Sequence, residues 1–331
     1  MNETKLNIAV VGAGVAGITA AQMLHEKHNV TLFERNDYLG GHTNTIILDD
    51  GPDEGTPIDT GFIVFNDRTY PTFQKLLNRL DVDYRKSEMS WSYYDEASDF
   101  YYSGSNINGL FARRSNLLNA TFLSMVYDIV RFNRQARRDL FNGQLGQDTL
   151  ENYLIRRRFS RAFVSHYLMP MGAAIWSSAP SDIAGFPAEM YIRFFENHGL
   201  LHLTNRPQWY TVEGGSHSYV NKFVEGFNGE IQLCARIESI HRSDSGVVIL
   251  FDDKSSRRFD KVVLATHADQ ALHLLAQPTD NEKRLLRTWK YSRNRCTLHT
   301  DNSLMPPSRR AWSSWNYVRE GSNGSNESAG R

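Results

Sequence analysis

The sequence predicts an α/β fold, a parallel-sheet unit interrupted by a mainly helical insert. Three observations predict it. An apolar, β-branched run from Asn7 to Val11 leads straight into Gly12-Ala13-Gly14-Val15-Ala16-Gly17. A second such run, Val30 to Phe33, follows one helix later and closes on Glu34. From Ser115 to His198 the apolar spacing changes to a helical period, carried by Leu117, Phe122, Val126, Ile129, Val130 and Phe132.

The first element reads as strand, turn and helix. Gly12 permits the tight turn, Gly14 lets backbone approach a pyrophosphate, and Gly17 lets helix and strand pack closely. Val15 and Ala16 open the helix, whose free N–H groups and positive dipole end suit phosphate. The helix continues to Lys27, and the next strand ends on Glu34. A carboxylate there accepts hydrogen bonds from ribose hydroxyls, whereas a 2′-phosphate would meet like charge. NADP is therefore disfavoured, and NAD and FAD remain. Glycine spacing alone is a weak signal, but this context makes it a Rossmann-type dinucleotide-binding element. Past Glu34 come Arg35-Asn36-Asp37-Tyr38-Leu39-Gly40-Gly41-His42-Thr43. The glycine pair serves either a plain turn or a second close backbone approach, which a cofactor with a long ribityl-pyrophosphate arm can use.

Short strands and a helix from Pro71 to Leu80 complete the first stretch. Residues 91–103 read as a hairpin, and the helical insert follows. Its arginine-rich segments, Arg131 to Arg138 and Arg156 to Arg158, read as solvated helix faces. The chain then returns with a helix over Ser216 to Phe227 and a strand over Ile231 to Leu233. Three further strands follow (Arg236 to His241, Gly246 to Phe251, Arg258 to Ala265), then helices from His267 to Leu275 and Thr279 to Arg287. The expected organisation is a discontinuous cofactor domain, 1–90 and 205–267, a substrate domain, 91–204 and 268–320, and a polar, glycine-rich disordered tail, 321–331.

Composition narrows the function. The 331 residues suffice to bury a core. Net charge is zero with no basic stripe, which argues against a nucleic-acid partner. Cys234 and Cys296 lie far apart, without C-x-x-C or metal-ligand spacing, so two buried unpaired thiols and no metal site are expected. No run of about 18 apolar residues argues for a membrane span, and a cytoplasmic location is the expectation. Aromatics crowd residues 91–102 and 191–210, as core packing or as the lining of an apolar substrate cavity.

Other residues carry a resemblance. The glycine pattern, Glu34 and Gly40-Gly41 before a basic residue are similar to the flavoprotein amine oxidase superfamily. That group includes monoamine oxidases, protoporphyrinogen oxidases, phytoene desaturases and flavin-dependent fatty-acid-modifying enzymes. Ile58-Asp59-Thr60-Gly61-Phe62, Tyr210-Thr211-Val212-Glu213-Gly214-Gly215-Ser216 and Asp260 to His267 resemble its later motifs. Met169 to Ser178 and Leu298 to Asp301 resemble a bacterial group of NAD/FAD-binding proteins within it. Two positions depart from the pattern: His42 stands where Arg is usual, and His267 where Pro usually follows Ala-Thr. The resemblance implies FAD, contacted by Gly12, Gly14, Val15, Ala16, Gly17 and Glu34. It adds Arg35, Gly40, Gly41, His42 and Thr43, then Asp59, Gly61 and Phe62, and finally Ile237 and Thr266. It also implies a cap domain for the helical insert and a further C-terminal strand and helix that nothing here matches, so a fragment or an early end is expected.

No second glycine fingerprint and no redox C-x-x-C occur, which argues against a two-nucleotide disulfide reductase. The expected chemistry is hydride removal from an organic, lipophilic small molecule. Redox-neutral double-bond isomerisation and a non-catalytic flavin-fold binding module are the alternatives. The lysine that amine oxidases place near the flavin aligns with Asn294 rather than Lys290, so an amine substrate is not favoured. His217 and His299 are candidate proton donors, and Trp176 a candidate cavity residue, but no catalytic residue is assigned.

Overall fold

The computed structural model describes residues 4–321; apart from Gly321, the expected disordered tail lies outside them. The chain divides into two compact units. The first comprises 1–65, 70–85 and 210–297, the second 66–69, 86–209 and 298–331.

At the centre of the first unit is a four-stranded parallel sheet. Its order is Glu230–Gln232, β2 (Asn29–Phe33), β1 (Asn7–Val11) and Lys261–Leu264. β1 pairs with β2 from Asn7–Asn29 to Val11–Phe33 and with the last strand from Ile8–Lys261 to Val11–Leu264. A central parallel strand is covered on both faces, which is why β1 reads as an unbroken apolar run. Val10 and Leu32 join a core with Ile18 and Ala21 of α1 (Val15–Leu24). Ala9, Val11 and Phe33 point the other way, into Ile240, Ile249, Phe251 and Phe259. Those residues belong to an antiparallel meander, Ile237–Ser243, Gly246–Phe251 and Ser256–Phe259.

Two expectations are corrected here. The run Arg258 to Ala265 is not one strand. It breaks at Asp260, which exchanges two hydrogen bonds with Asn7: Asp260 N to Asn7 O at 2.8 Å and Asn7 N to Asp260 Oδ2 at 2.7 Å. The chain before that pin belongs to the meander, and the chain after it to the parallel sheet. Residues 268–297 fall in the first unit rather than with the substrate domain. Ala276 N donates to Ile240 O at 3.1 Å, and Arg242 pairs with Glu282 at 2.7 Å, tying these helices to the meander.

The second unit contains a three-stranded sheet and most of the helices. Trp315–Arg319 pairs parallel with Trp91–Asp95, which forms the expected hairpin with Phe100–Ser103. The helices Ala120–Phe141, Leu150–Arg156, Met169–Trp176 and Ala188–Asn197 share a core that includes Phe122, Phe132, Tyr153, Phe163, Tyr191 and Phe195. Trp176 packs there against Phe186, Tyr191 and Phe194, at ring separations of 5.3, 5.2 and 4.8 Å. The arginines are not uniformly solvated: Arg131 pairs with buried Asp128, and Arg157 with buried Asp139, each at 2.8 Å.

A π-helical segment, Val164–Leu168, carries His166. Its Nδ1 lies 3.0 Å from the Tyr93 hydroxyl, and burial lowers its pKa below the usual histidine value. The unfolded chain therefore takes up a proton at a pH where the folded chain still resists it. Stability is full above the ordinary histidine pKa and falls as pH drops below it. Denaturant midpoints measured between about pH 7.5 and 5.5 should decline, and His166→Asn should flatten the slope. A steeper decline in the variant would assign the effect elsewhere.

The expectation of buried thiols is also corrected. Cys234 and Cys296 are both free and exposed. Cys234 has a left-handed backbone (φ 54) just past Gln232, and Cys296 lies in a segment without regular secondary structure. Among the described residues no helix is long and apolar enough to cross a membrane, and no cluster of metal ligands occurs.

Candidate functional site

A groove of about 1140 Å³ opens at the carboxyl ends of β1, β2 and Lys261–Leu264, entirely within the first unit. Ligands of open parallel sheets bind at this end, and the volume slightly exceeds the roughly 300–1,000 Å³ usual for small-molecule pockets. Val11, Gly12, Gly14, Val15 and Ala16 line its floor. Gly12 turns the chain at φ +98, and a Cβ there would lie 2.8 Å from Ala265 O. Gly14 is extended, and a Cβ on it would meet nothing nearer than Gly41 Cα at 4.0 Å. Gly14 is also the N-cap of α1 and offers no side-chain cap. The first N–H groups of α1 therefore keep hydrogen-bonding capacity for an anion.

Glu34 is 8 % exposed and borders the groove. Its Oε2 accepts from Ala13 N and its Oε1 from Asn36 N, each at 2.9 Å. Each oxygen retains a second lone pair for a ligand hydroxyl. The carboxylate is thus held in place by the very loop it serves.

Gly40 and Gly41 complete the rim. Gly40 N donates to Ala13 O at 2.9 Å, and Gly40 forms a parallel bridge with Gly14. A Cβ on Gly41 would approach Gly14 Cα to 3.0 Å. The second glycine pair therefore brings two backbone loops against each other.

Beyond the rim, Thr43 Oγ1 lies 2.6 Å from the buried Tyr219 hydroxyl. Phe62, Phe73 and Tyr219 make an edge-to-face series, with centroids 5.1 and 5.5 Å apart. Arg35 and Ile237 border the Glu34 end, and Thr266 borders the opposite wall. The two departures from the resemblance meet in the groove lining. His42 and His267 stack at 5.5 Å and 16°, and Tyr291 stacks on His267 at 4.2 Å and 1°.

Three expected contacts do not line the groove. A Cβ on Gly17 would lie 1.8 Å from Gly12 O, and one on Gly61 1.9 Å from His42 O. Both glycines serve loop packing. Asp59 ends β4 (Pro57–Asp59), paired with β3 (Thr45–Ile47). It accepts from Ser216 N at 2.9 Å, Ser216 Oγ at 2.8 Å and Thr45 Oγ1 at 2.6 Å. These bonds fix the turn before the helix His217–Gly226 that carries Tyr219. His217, Lys290, Asn294 and His299 do not border the groove either, and His299 lies in coil rather than on a strand.

Sequence reasoning missed Tyr70, Phe73, Tyr219, Ala235, Arg236, His267, Asp269 and His273. Ala235 and Arg236 precede Ile237, and His267 follows Thr266, so adjacency was a usable signal. Tyr70 and Phe73 carry none.

The groove's residues fit a dinucleotide: an uncapped helix start, a glycine whose missing side chain leaves open space, and an anchored carboxylate. Together the fold and groove define an α/β protein of the dinucleotide-binding kind. The family model "Flavin containing amine oxidoreductase" matches residues 15–317, so the chain belongs to that family and FAD is its cofactor. An L-amino-acid oxidase of Siganus canaliculatus is 24 % identical over 292 residues, covering 83 % of this chain and 53 % of its own. A putrescine oxidase triple mutant superimposes with a TM-score of 0.62 at 18 % identity, over 86 % of this chain and 63 % of that one. Cyclohexylamine oxidase from Brevibacterium oxydans gives 0.62 at 16 %, over 86 % and 63 %. A CLA-producing fatty acid isomerase from P. acnes gives 0.59 at 16 %, over 87 % and 64 %. The chain thus spans little more than half of the curated relative and under two thirds of these solved chains.

Proposed function

We propose that this chain holds FAD in the groove of its first unit and acts as an oxidoreductase that removes hydride from a small, lipophilic organic molecule. The observation that carries the reading is the anchored Glu34 carboxylate beside the uncapped start of α1. Bound FAD supplies the hydride-accepting chemistry. Glu34 receives ribose hydroxyls, and the N–H groups at Val15 and Ala16 receive the pyrophosphate. Arg35 and Ile237, at the Glu34 end, border the adenosine portion, and Thr43 and Thr266 border the remainder. Phe62, Phe73 and Tyr219 support the lipophilic reading, because they exclude water from the far wall. The helical second unit is assigned to substrate recognition.

The absorbance spectrum of the purified protein, with the released cofactor identified by mass, tests the assignment. A colourless protein that also shows no thermal shift with added FAD would leave only the non-catalytic binding module. Glu34→Ala is expected to weaken FAD binding by the worth of one charge-assisted contact, roughly 1.5–3 kcal/mol, measured by titration of the apoprotein. Unchanged affinity would remove Glu34 from the site.

One similar fold belongs to a fatty acid isomerase, which favours redox-neutral turnover as the second reading. Anaerobic substrate addition separates the two. Lasting bleaching of the flavin marks net oxidation, and product without bleaching marks isomerisation.

A further inference from the structure

Three arginines of the helix Ala120–Phe141, Arg131, Arg134 and Arg138, line one cleft on its surface. Leu123, Tyr127, Val130, Arg134, Arg138 and Phe141 follow one another at steps of three or four, a single stripe along its outer face. Tyr127 and Phe141 are 69 % and 70 % exposed, and Leu118, just before the helix, is 92 % exposed. Between these apolar ends Tyr127, Val130, Arg131, Arg134, Gln135 and Arg138 line a surface cleft of about 350 Å³.

Of the cleft's three arginines, Arg131 pairs with Asp128 at 2.8 Å, Arg138 lies 3.9 Å from Asp139, and Arg134 has no carboxylate partner among the described residues. Asp128 and Asp139 lie buried and are already engaged, by Ser160 N and Arg131 and by the Tyr153 hydroxyl and Arg157. Among the described residues no carboxylate pairs with Arg134 or Arg158, and Arg138 reaches only Asp139, at 3.9 Å. Arg131 also ties the helix to the chain at Arg157 and Arg158. Its guanidinium donates to the carbonyls of Arg157 at 3.1 Å and Arg158 at 2.8 Å. Like charges at helical neighbour spacing repel, and an anionic partner relieves that repulsion.

We propose that this stripe docks the protein on the surface of an anionic lipid bilayer. Guanidinium groups bind phosphates in a bidentate fashion. Exposed leucine and aromatic side chains at both ends of the cationic stretch enter the headgroup boundary. A bilayer surface accepts both kinds of contact at once. A duplex nucleic acid accepts the arginines but has no use for the exposed Leu118, Leu123 and Phe141. The contact is peripheral.

The test is co-sedimentation of the full chain with phosphatidylcholine vesicles containing about 30 % phosphatidylglycerol, against pure phosphatidylcholine. The protein is expected to sediment with the anionic vesicles alone and to be released by salt at about 0.5 M. Arg134→Glu with Arg138→Glu is expected to lower partitioning roughly thirty-fold or more. Leu123→Ser with Tyr127→Ser is expected to lower it too. All four side chains are exposed, and unchanged thermal unfolding of both variants verifies the fold. Equal sedimentation with both vesicle types, or a charge-reversed protein that partitions like the parent, overturns the proposal. Tighter binding to a DNA duplex than to the vesicles through the same arginines also overturns it.

Discussion

Gly14→Val is expected to abolish FAD binding while leaving the protein folded. The position is extended and has open space where a side chain would project. A Cβ therefore fits, and the expected cost is about 1 kcal/mol for an unfavourable N-cap residue, which leaves the protein folded. In the proposed binding mode, that same open space is the approach path of the pyrophosphate to the start of α1. Blocking it removes about two charge-assisted hydrogen bonds at roughly 1.5–3 kcal/mol each. Affinity should fall by about 10²- to 10⁴-fold. The measurements are flavin content after purification and titration of the apoprotein, beside a denaturation curve. A folded variant with full flavin content would place the cofactor elsewhere.

Gly17→Ala should fail for a different reason. A Cβ there would lie 1.8 Å from Gly12 O and 2.9 Å from Gly12 C, both backbone atoms. Neither can swing aside as a side chain would. α1 must lift from β1, opening the core built from Val10, Ile18 and Ala21. The expected cost is about 4 kcal/mol or more, a large part of an ordinary domain's stability. Soluble yield and the denaturation midpoint report it. A variant with the parental midpoint would show that the loop is plastic. The two substitutions thus separate a glycine needed by the cofactor from one needed by the fold.

Much of the cofactor end is legible in the sequence because contiguous chain builds it. Residues 7–17 supply strand, turn and helix start, and Glu34 arrives at the end of the neighbouring strand. The later walls are less legible. Tyr219 reaches Thr43 across a separation of 176 residues, and only the register of β1 against Lys261–Leu264 brings His267 to the groove. Asp59 is legible only in part. Its motif suits a structural carboxylate as well as a cofactor contact, and only the fold shows three donors from Thr45 and Ser216 upon it. The break at Asp260 escaped notice because an apolar run carries no mark of which sheet each half joins. Arg131 looks solvated from the sequence, since periodicity does not reveal the buried Asp128 it answers.

In both units a strand from the first third of the chain takes a partner from the last third. β1 waits for Lys261–Leu264, and Trp91–Asp95 for Trp315–Arg319. On the ribosome each of those earlier edges stays unpaired until its distant partner strand has emerged. Non-local parallel pairing is slow because loop closure precedes any gain from contact. The nascent chain therefore carries two open strand edges across those intervals, and unpaired edges are prone to aggregate.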